Sequence, residues 1–391
     1  MRIVDVCAFY TPHGGGVKTY VERKLKAGPA AGQEIIVLAP GATDSVISRG
    51  PGATLMTLAS PTFPLDRRYR YFAGEAEVHQ ALDRLRPDLV EASSPWRSAA
   101  TVARWRGSAP RTLIMHADPL AAYAYRWFGP IASRDKIDRS FEWFWRHLRQ
   151  LDSQFDGIVS ASADLGERLR AGGLRNIIVN PMGVEEGQFS PALRDRELRK
   201  ALLRDCGLGE DATLLLGVGR LAPEKRWPMV IDAVTAAAYQ RPIGFVLVGE
   251  GRDRGRIRAA IGGNPHCVLL PPFSERQRFA TVMASADALI HGCEAETFCL
   301  VAAEARASGL PLIAPDRGGA ADQARQSGGR LYAAADPSAL SRAINELLDR
   351  PIDLVRRIAI EDAGRVRRMD DHFAELFAFY QTLVERQRYA A

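Results

Sequence analysis

The chain has 391 residues, 47 % apolar and 25 % charged, which implies two domains with room for a real core and excludes collagen-like, disordered and small disulfide-rich classes. Its net charge of +6 suits an anionic substrate or membrane surface and is too weak to argue for nucleic acid. No apolar run is long enough to span a bilayer, Asp5 interrupts the first apolar run too early for a secretory leader, and five scattered cysteines (Cys7, Cys206, Cys267, Cys293, Cys299) without Cys-x-x-Cys spacing fit a reduced cytosol and argue against a zinc site.

Residues 3–9 read as a first strand, followed by the triplet Gly14-Gly15-Gly16 and then by helical spacing through Val17, Tyr20, Val21 and Leu25. Short apolar runs at 35–38, 88–92, 112–115 and 157–160 continue the series, with helical stretches between. Residues 180–203, holding Pro181, Gly183, Gly187 and Pro191, read as a linker. The pattern then restarts with strands at 213–218, 244–248, 268–270, 288–290 and 311–314. Continuous apolar strands alternating with helices indicate parallel sheets covered on both faces. Two doubly wound domains are therefore expected, with ligands at the carboxyl ends of the strands.

Four constellations carry chemistry. Gly14-Gly15-Gly16, between a strand and a helix, lets backbone amides approach an anion, or simply makes a tight turn. Residues 217–222 fit a dinucleotide fingerprint, with Glu250 at the next strand end as a ribose ligand. In the competing reading Arg220 and Lys225 sit on a diphosphate as fixed charges, since Pro223 and Glu224 crowd the backbone. The third, Glu294-Ala295-Glu296-Thr297-Phe298-Cys299-Leu300-Val301-Ala302-Ala303-Glu304, predicts a helix over 298–307. It sets Glu296 in the loop before that helix, free amides at about 298–300, and Glu304 on the second turn. The fourth is His116, at the carboxyl end of a strand, either structural or facing a ligand. No Gly-x-Ser-x-Gly elbow, Asp-x-Asp or helical His pair occurs, so neither serine-hydrolase nor metal-assisted chemistry is supported.

Residues 123–150 combine eight aromatics (Tyr123, Tyr125, Trp127, Phe128, Phe141, Trp143, Phe144, Trp145) with six basic residues (Arg126, Arg134, Lys136, Arg139, Arg146, Arg149). Helical spacing puts Phe141, Phe144, Trp145, Leu148 and Leu151 on one inward face. Trp143 falls opposite, near Arg146, where it either packs under a loop or sits in an anionic lipid headgroup layer.

Taken in order, these motifs resemble the family-4 retaining glycosyltransferases, whose fold is two facing Rossmann-like domains (GT-B). The resemblance runs from Met1 to about Leu383. Glu296 and Glu304 match the Glu-x7-Glu signature, Gly219-Arg220-Leu221-Ala222-Pro223-Glu224-Lys225 the diphosphate loop, and Gly249-Glu250-Gly251 the strand end near the nucleotide. Pro311 through Gly319 match the strand and glycine turn that follow, and Asn180-Pro181-Met182-Gly183-Val184 with Phe189 and Pro191 the linker. Two departures stand out: Cys299 replaces a customary glycine, and the linker reads Asn-Pro-Met-Gly.

The resemblance implies an acceptor-side domain over 1–185, a donor domain over 186–370, and a last helix, about 371–391, packing back on the first through Phe373, Leu376, Phe377, Tyr380 and Leu383. It implies that Arg220 and Lys225 neutralise the leaving diphosphate and Glu304 holds the ribose. Glu296 and the backbone of Thr297, Phe298, Cys299 and Leu300 then hold the sugar. Gly15 and Gly16 close on the phosphate, and His116 lies by the sugar on the acceptor side. The expected activity is retaining transfer from a UDP- or GDP-sugar to an acceptor hydroxyl, in glycolipid, polysaccharide or other glycoconjugate synthesis. The expected location is the cytoplasm or the inner face of the membrane, with a lipid-linked acceptor and an anionic surface as candidate partners, no nucleic acid, no cofactor and no metal. Two alternatives remain: an NAD(P)-dependent oxidoreductase and a non-catalytic sugar-nucleotide-binding subunit.

Overall fold

The computed structural model describes residues 1–11, 16–64, 69–118, 120–129 and 131–390, excepting the side chains of residues 122, 123, 126 and 390. The chain forms two compact units. One comprises Met1–Asp118, Trp127–Pro181 and Asp370–Ala391; the other comprises Pro119–Arg126 and Met182–Met369.

The first unit is built on β1 (Arg2–Val6), β2 (Glu34–Gly41), β3 (Ser45–Gly50), β4 (Ala53–Ala59), β5 (Leu89–Ala92), β6 (Arg111–Met115), β7 (Gly157–Ser160) and β8 (Ile177–Val179). Their order in the sheet is β3-β4-β2-β1-β5-β6-β7-β8, parallel except where β3 meets β4. The central strands are buried on both faces and, apart from Asp5 on β1 and Glu91 on β5, mostly apolar. The edge strand β3 is mostly exposed and has only Val46 and Ile47 as large apolar residues, so no apolar run announces it in the sequence.

Charge is buried at the centre of this sheet. Asp5 on β1 and Glu91 on β5 are register partners, so their side chains share one face. Lys24, from the helix Gly16–Ala30, reaches both, at 3.2 Å from Asp5 Oδ2 and 2.5 Å from Glu91 Oε2, and all three side chains are fully buried. Ser93 donates to Asp5 Oδ1 at 2.7 Å. Tyr380 donates to Glu91 from the helix Met369–Ala390, on which Phe373, Leu376, Phe377 and Leu383 are also buried. Burial, helped by the Asp5 charge, pushes the Glu91 carboxyl up to about 7 against the pull of Lys24.

The helix Glu142–Asp152 buries Phe144, Trp145, Leu148 and Leu151, while Phe141 is half-buried. Trp143 is 57 % exposed, so it does not pack under a loop.

The second unit is a parallel sheet of β9 (Thr213–Val218), β10 (Ile243–Val248), β11 (Cys267–Leu270), β12 (Ala288–Ile290), β13 (Leu312–Pro315) and β14 (Arg330–Tyr332), in the order β11-β10-β9-β12-β13-β14. The stretch expected to be a linker is mostly part of this unit. Residues Arg196–Asp205 form a helix capped by Asp195, whose side chain accepts from Leu198 N, and Phe189, Leu202 and Leu203 are buried. Prolines and glycines mark turns here, but the apolar residues between them decide that the segment packs. The incoming and outgoing chains pair where they enter and leave the unit. Val184 N donates to Arg367 O at 2.9 Å and Met369 N to Val184 O at 2.8 Å. Among the described residues no helix is long and apolar enough to cross a membrane.

The buried carboxylate makes a prediction about pH. Unfolded, Glu91 titrates near 4.3; folded, near 7. The folded protein therefore binds the extra proton, and this group's contribution to stability falls as pH rises through that window. Glu91→Gln removes the dependence. The Tm of the variant relative to wild type is expected to climb from pH 5 to pH 8, and a difference that is flat with pH refutes the account.

Candidate active site

In the second unit β9 runs into a loop, a 3-10 turn over Pro223–Lys225 and the helix Trp227–Ala238. The loop is folded around the fully buried indole of Trp227, whose Nε1 donates to Arg220 O at 2.9 Å. Its glycines serve close packing. A Cβ on Gly217 would lie 3.0 Å from the Trp227 ring, and one on Gly249, at the end of β10, would lie 2.0 Å from Gly219 O. The spacing that resembles a dinucleotide fingerprint is thus accounted for without a pyrophosphate on the backbone.

A second loop follows β12 and ends at Cys299, whose left-handed backbone (φ +67°) caps the helix Leu300–Ala307. The helix starts two residues later than its apolar pattern predicts, because Cys299 turns the chain. Among the described residues no main-chain acceptor takes the amides of Leu300 and Val301, which head the helix and favour an anion. Gly319 supports this loop from behind. Its N–H donates to Glu296 O at 2.7 Å, and a Cβ on it would lie 2.6 Å from the Phe298 backbone.

The two loops are joined by charge. Lys225 Nζ bonds Glu296 Oε1, with both side chains largely buried. Burial alone would lower the lysine and raise the glutamate. Each partner's charge more than reverses this, aided at Glu296 by His291, so Lys225 is held above its ordinary range and Glu296 well below. His291 Nε2 lies 3.6 Å from Glu296 Oε1 and 3.6 Å from Cys299 Sγ. These three donor groups lie within 4.8 Å of one another. However, Lys225 already occupies the carboxylate, and burial keeps the Cys299 thiol protonated far above its usual range, so the cluster is built around an ion pair. Beside it Arg226 grips Glu294, with Nε donating to Oε2 at 2.9 Å and Nη2 to Oε1.

Glu304, one turn into the helix, is buried and bonded to Arg276. The Arg276 guanidinium lies 4.9 Å from the Phe189 ring centroid and 5.6 Å from that of Phe279. Arg220 is different: its side chain is 76 % exposed and pairs with Glu224, at 3.1 Å. Glu250 is exposed, and its carbonyl accepts from Leu221 N at 2.9 Å. The second unit therefore gathers paired cations and carboxylates and a helix start around adjoining loops, a set suited to the phosphates and hydroxyls of a sugar nucleotide.

Residues 14–188 match the family described as Glycosyltransferase Family 4, and residues 199–364 match Glycosyl transferases group 1. A GDP-mannose-dependent alpha-mannosyltransferase of Mycobacterium tuberculosis (strain CDC 1551 / Oshkosh) is 30 % identical, over 82 % of this chain and 81 % of that protein. The chain belongs to glycosyltransferase family 4. A GDP-mannose-dependent alpha-(1-6)-phosphatidylinositol dimannoside mannosyltransferase of Mycobacterium tuberculosis (strain ATCC 25177 / H37Ra) is 28 % identical, over 92 % of this chain and 91 % of that protein. Sucrose-phosphate synthase from Thermosynechococcus elongatus shares the fold with a TM-score of 0.75 at 17 % identity, covering 99 % of this chain and 100 % of that one. Anabaena HepE in complex with UDP-glucose does so with a TM-score of 0.67 at 17 % identity, covering both chains fully. The fold is that of the GT-B glycosyltransferases, and the oxidoreductase and non-catalytic readings are set aside.

Of the expected site residues in this glycosyltransferase, Arg220, Lys225, Gly249, Glu250, Glu296, Thr297, Phe298, Cys299, Leu300 and Glu304 all belong to the second unit. In the first unit Gly16 opens its helix, while Gly14 and Gly15 lie outside the described residues. His116 follows β6, its ring 4.8 Å from that of Tyr20, and burial pushes it down to about 4, so it is neutral at physiological pH. Sequence reasoning missed Trp227, His291, Arg276 and the Arg226–Glu294 pair. His291 carries the same signal as His116, a histidine directly after a strand.

The ion pair predicts its own energetics. Glu296→Gln leaves Lys225 largely buried without its counter-charge and is expected to destabilise the protein by about 3 kcal/mol. Lys225→Met in the same chain should recover most of that loss in urea unfolding. Additive losses in the double variant would show that the two groups are not coupled.

Proposed function

We propose that this glycosyltransferase moves mannose from GDP-mannose to a hydroxyl of a lipid-linked acceptor, with retention of configuration and without a metal ion. The observation that carries the donor site is the Lys225–Glu296 pair beside the head of the helix Leu300–Ala307. The two mycobacterial relatives, both GDP-mannose-dependent and one acting on a phosphatidylinositol dimannoside, support the donor and the acceptor class.

In this reading the diphosphate enters against the amides of Leu300 and Val301. Lys225 leaves Glu296 for the phosphate, and Glu296, still ionised, turns to the sugar hydroxyls. Arg220 swings from Glu224, an exposed contact that costs little to break. Glu304 receives the ribose. Negative charge then builds on the leaving diphosphate opposite fixed cations, which is the largest electrostatic contribution this site can make. The family resemblance supplies the remaining assignments: Gly15 and Gly16 at the phosphate, neutral His116 on the acceptor side, and a departing phosphate oxygen as the base for the acceptor's proton.

Thermal shift and transfer assays test this. GDP and GDP-mannose should raise the Tm, by about 2.7 kcal/mol of stabilisation at 100 times Kd, while UDP and ADP should not. Lys225→Ala should lower transfer about 10²–10³-fold, and EDTA should leave it unchanged. A UDP preference refutes the donor, and a loss in EDTA that Mg²⁺ restores assigns the charge to a metal.

We propose further that the first unit docks on anionic lipid. Trp127, Phe128, Ile131 and Trp143 are exposed, at 59, 41, 83 and 57 %. Phe128, Phe141, Trp143, Phe144 and Trp96 form a chain of ring contacts with centroids 5.0–6.3 Å apart. Lys136, Arg139 and Arg146 are exposed in the same segment. Apolar rings with basic neighbours suit a headgroup layer. Binding to phosphatidylglycerol vesicles should weaken with salt and drop in Trp143→Ala at unchanged Tm; indifference of the wild type to such vesicles at low salt removes the idea.

A further inference from the structure

Consecutive residues of the lysine loop reach the same facing loop. Lys225 bonds Glu296, and Arg226 bonds Glu294 through two nitrogens. The backbone is set for this. Arg226 has φ +51° and ψ +33°, a left-handed conformation unfavourable for a residue with a side chain. The turn sends successive side chains along separate routes, and the loops approach so closely that a Cβ on Gly292 would lie 2.5 Å from Lys225 O. Arg226 and Glu294 are mostly buried, with side chains 22 % and 10 % exposed. A two-pronged guanidinium–carboxylate contact fixes orientation as well as distance, whereas a single ammonium contact fixes distance alone.

We propose that Arg226 and Glu294 are positioning residues. Their paired contact is a strut that holds the lysine loop on the Glu296 loop, so that Lys225 keeps its aim when it exchanges Glu296 for the diphosphate. The inference rests on the donor site proposed above. The Lys225 contact must break in each turnover, so it cannot also hold the loops together; the neighbouring contact does. Neither Arg226 nor Glu294 touches donor or acceptor in this scheme, and both act through Lys225.

The test is steady-state kinetics with GDP-mannose on Lys225→Ala, Arg226→Ala, Arg226→Gly, Arg226→Lys and Glu294→Gln, with Tm measured for each. Small displacements of an aligned group cost up to about 100-fold in rate, so Arg226→Ala and Glu294→Gln should lose about that much kcat. Their donor KM should shift by only about 3-fold, because the loss falls on charge that develops during reaction. Arg226→Gly suits left-handed backbone, which offsets part of the cost of leaving Glu294 unpaired, so it should lose less Tm than Arg226→Ala and still lose kcat. Arg226→Lys, without the fork, should not restore turnover. Combining Arg226→Ala with Glu294→Gln should cost no more than either alone, and millimolar ethylguanidinium should partly rescue Arg226→Ala. If Lys225→Ala is inactive while Glu294→Gln and Arg226→Gly turn over within 2-fold of wild type, the strut is wrong and the donor site stands. Normal turnover in Lys225→Ala removes the donor site and the strut with it. A variant that fails to fold leaves the decision to Glu294→Gln, which keeps the shape of the side chain.

Discussion

The second unit depends on one buried ion pair between two loops. Removing an ammonium and a carboxylate from water is costly, and their attraction offsets that only when the geometry is held. Much of the surrounding structure holds it. Trp227 fills the lysine loop and ties Arg220 O to its indole. Gly249 admits the approach of Gly219 O, Gly292 that of Lys225 O, and Gly319 that of the Phe298 backbone. Gly292 excludes a side chain because the two loops come together there, while Gly249 and Gly319 do so because each packs on the back of one loop.

The charges of the proposed donor site are grouped into pairs of different exposure. Arg220–Glu224 is open to solvent, Arg276–Glu304 is half open on the arginine side, and Lys225–Glu296 is mostly covered. The exposed pair is weak and opens readily, while the covered pair keeps both groups ionised across physiological pH. A site of this kind keeps its groups ionised before a ligand arrives, so binding has only to exchange their partners and not to charge them.

The first unit uses buried charge for another purpose. Asp5, Lys24, Glu91 and Tyr380 come from β1, a helix, β5 and the last helix of the chain, and they meet in a core that is otherwise apolar. Burial is the main cause of the raised Glu91, and the second carboxylate, Asp5, adds to it against the single ammonium of Lys24. It also ties the last helix to the sheet at a specific register, which apolar contacts from Phe373 and Phe377 do less selectively.

The sequence alone determined what rests on local pattern. Continuous apolar runs flanked by helical spacing identified the central strands of both sheets, since such strands are covered on both faces and carry no polar alternation. Motif order identified the family and located Lys225, Glu296 and Glu304. Strands β3, β4, β8 and β14 escaped because they are short or partly exposed, and residues 180–203 passed for a linker because turn residues mask buried Phe189, Leu202 and Leu203. The tertiary structure decided the pairings. That Lys225 meets Glu296, Arg226 meets Glu294 and Lys24 meets Asp5 and Glu91 depends on residues far apart in the chain. Charge–charge contacts at such separations leave no periodic trace, because their partners are set by how strands order in a sheet and loops stack at its end.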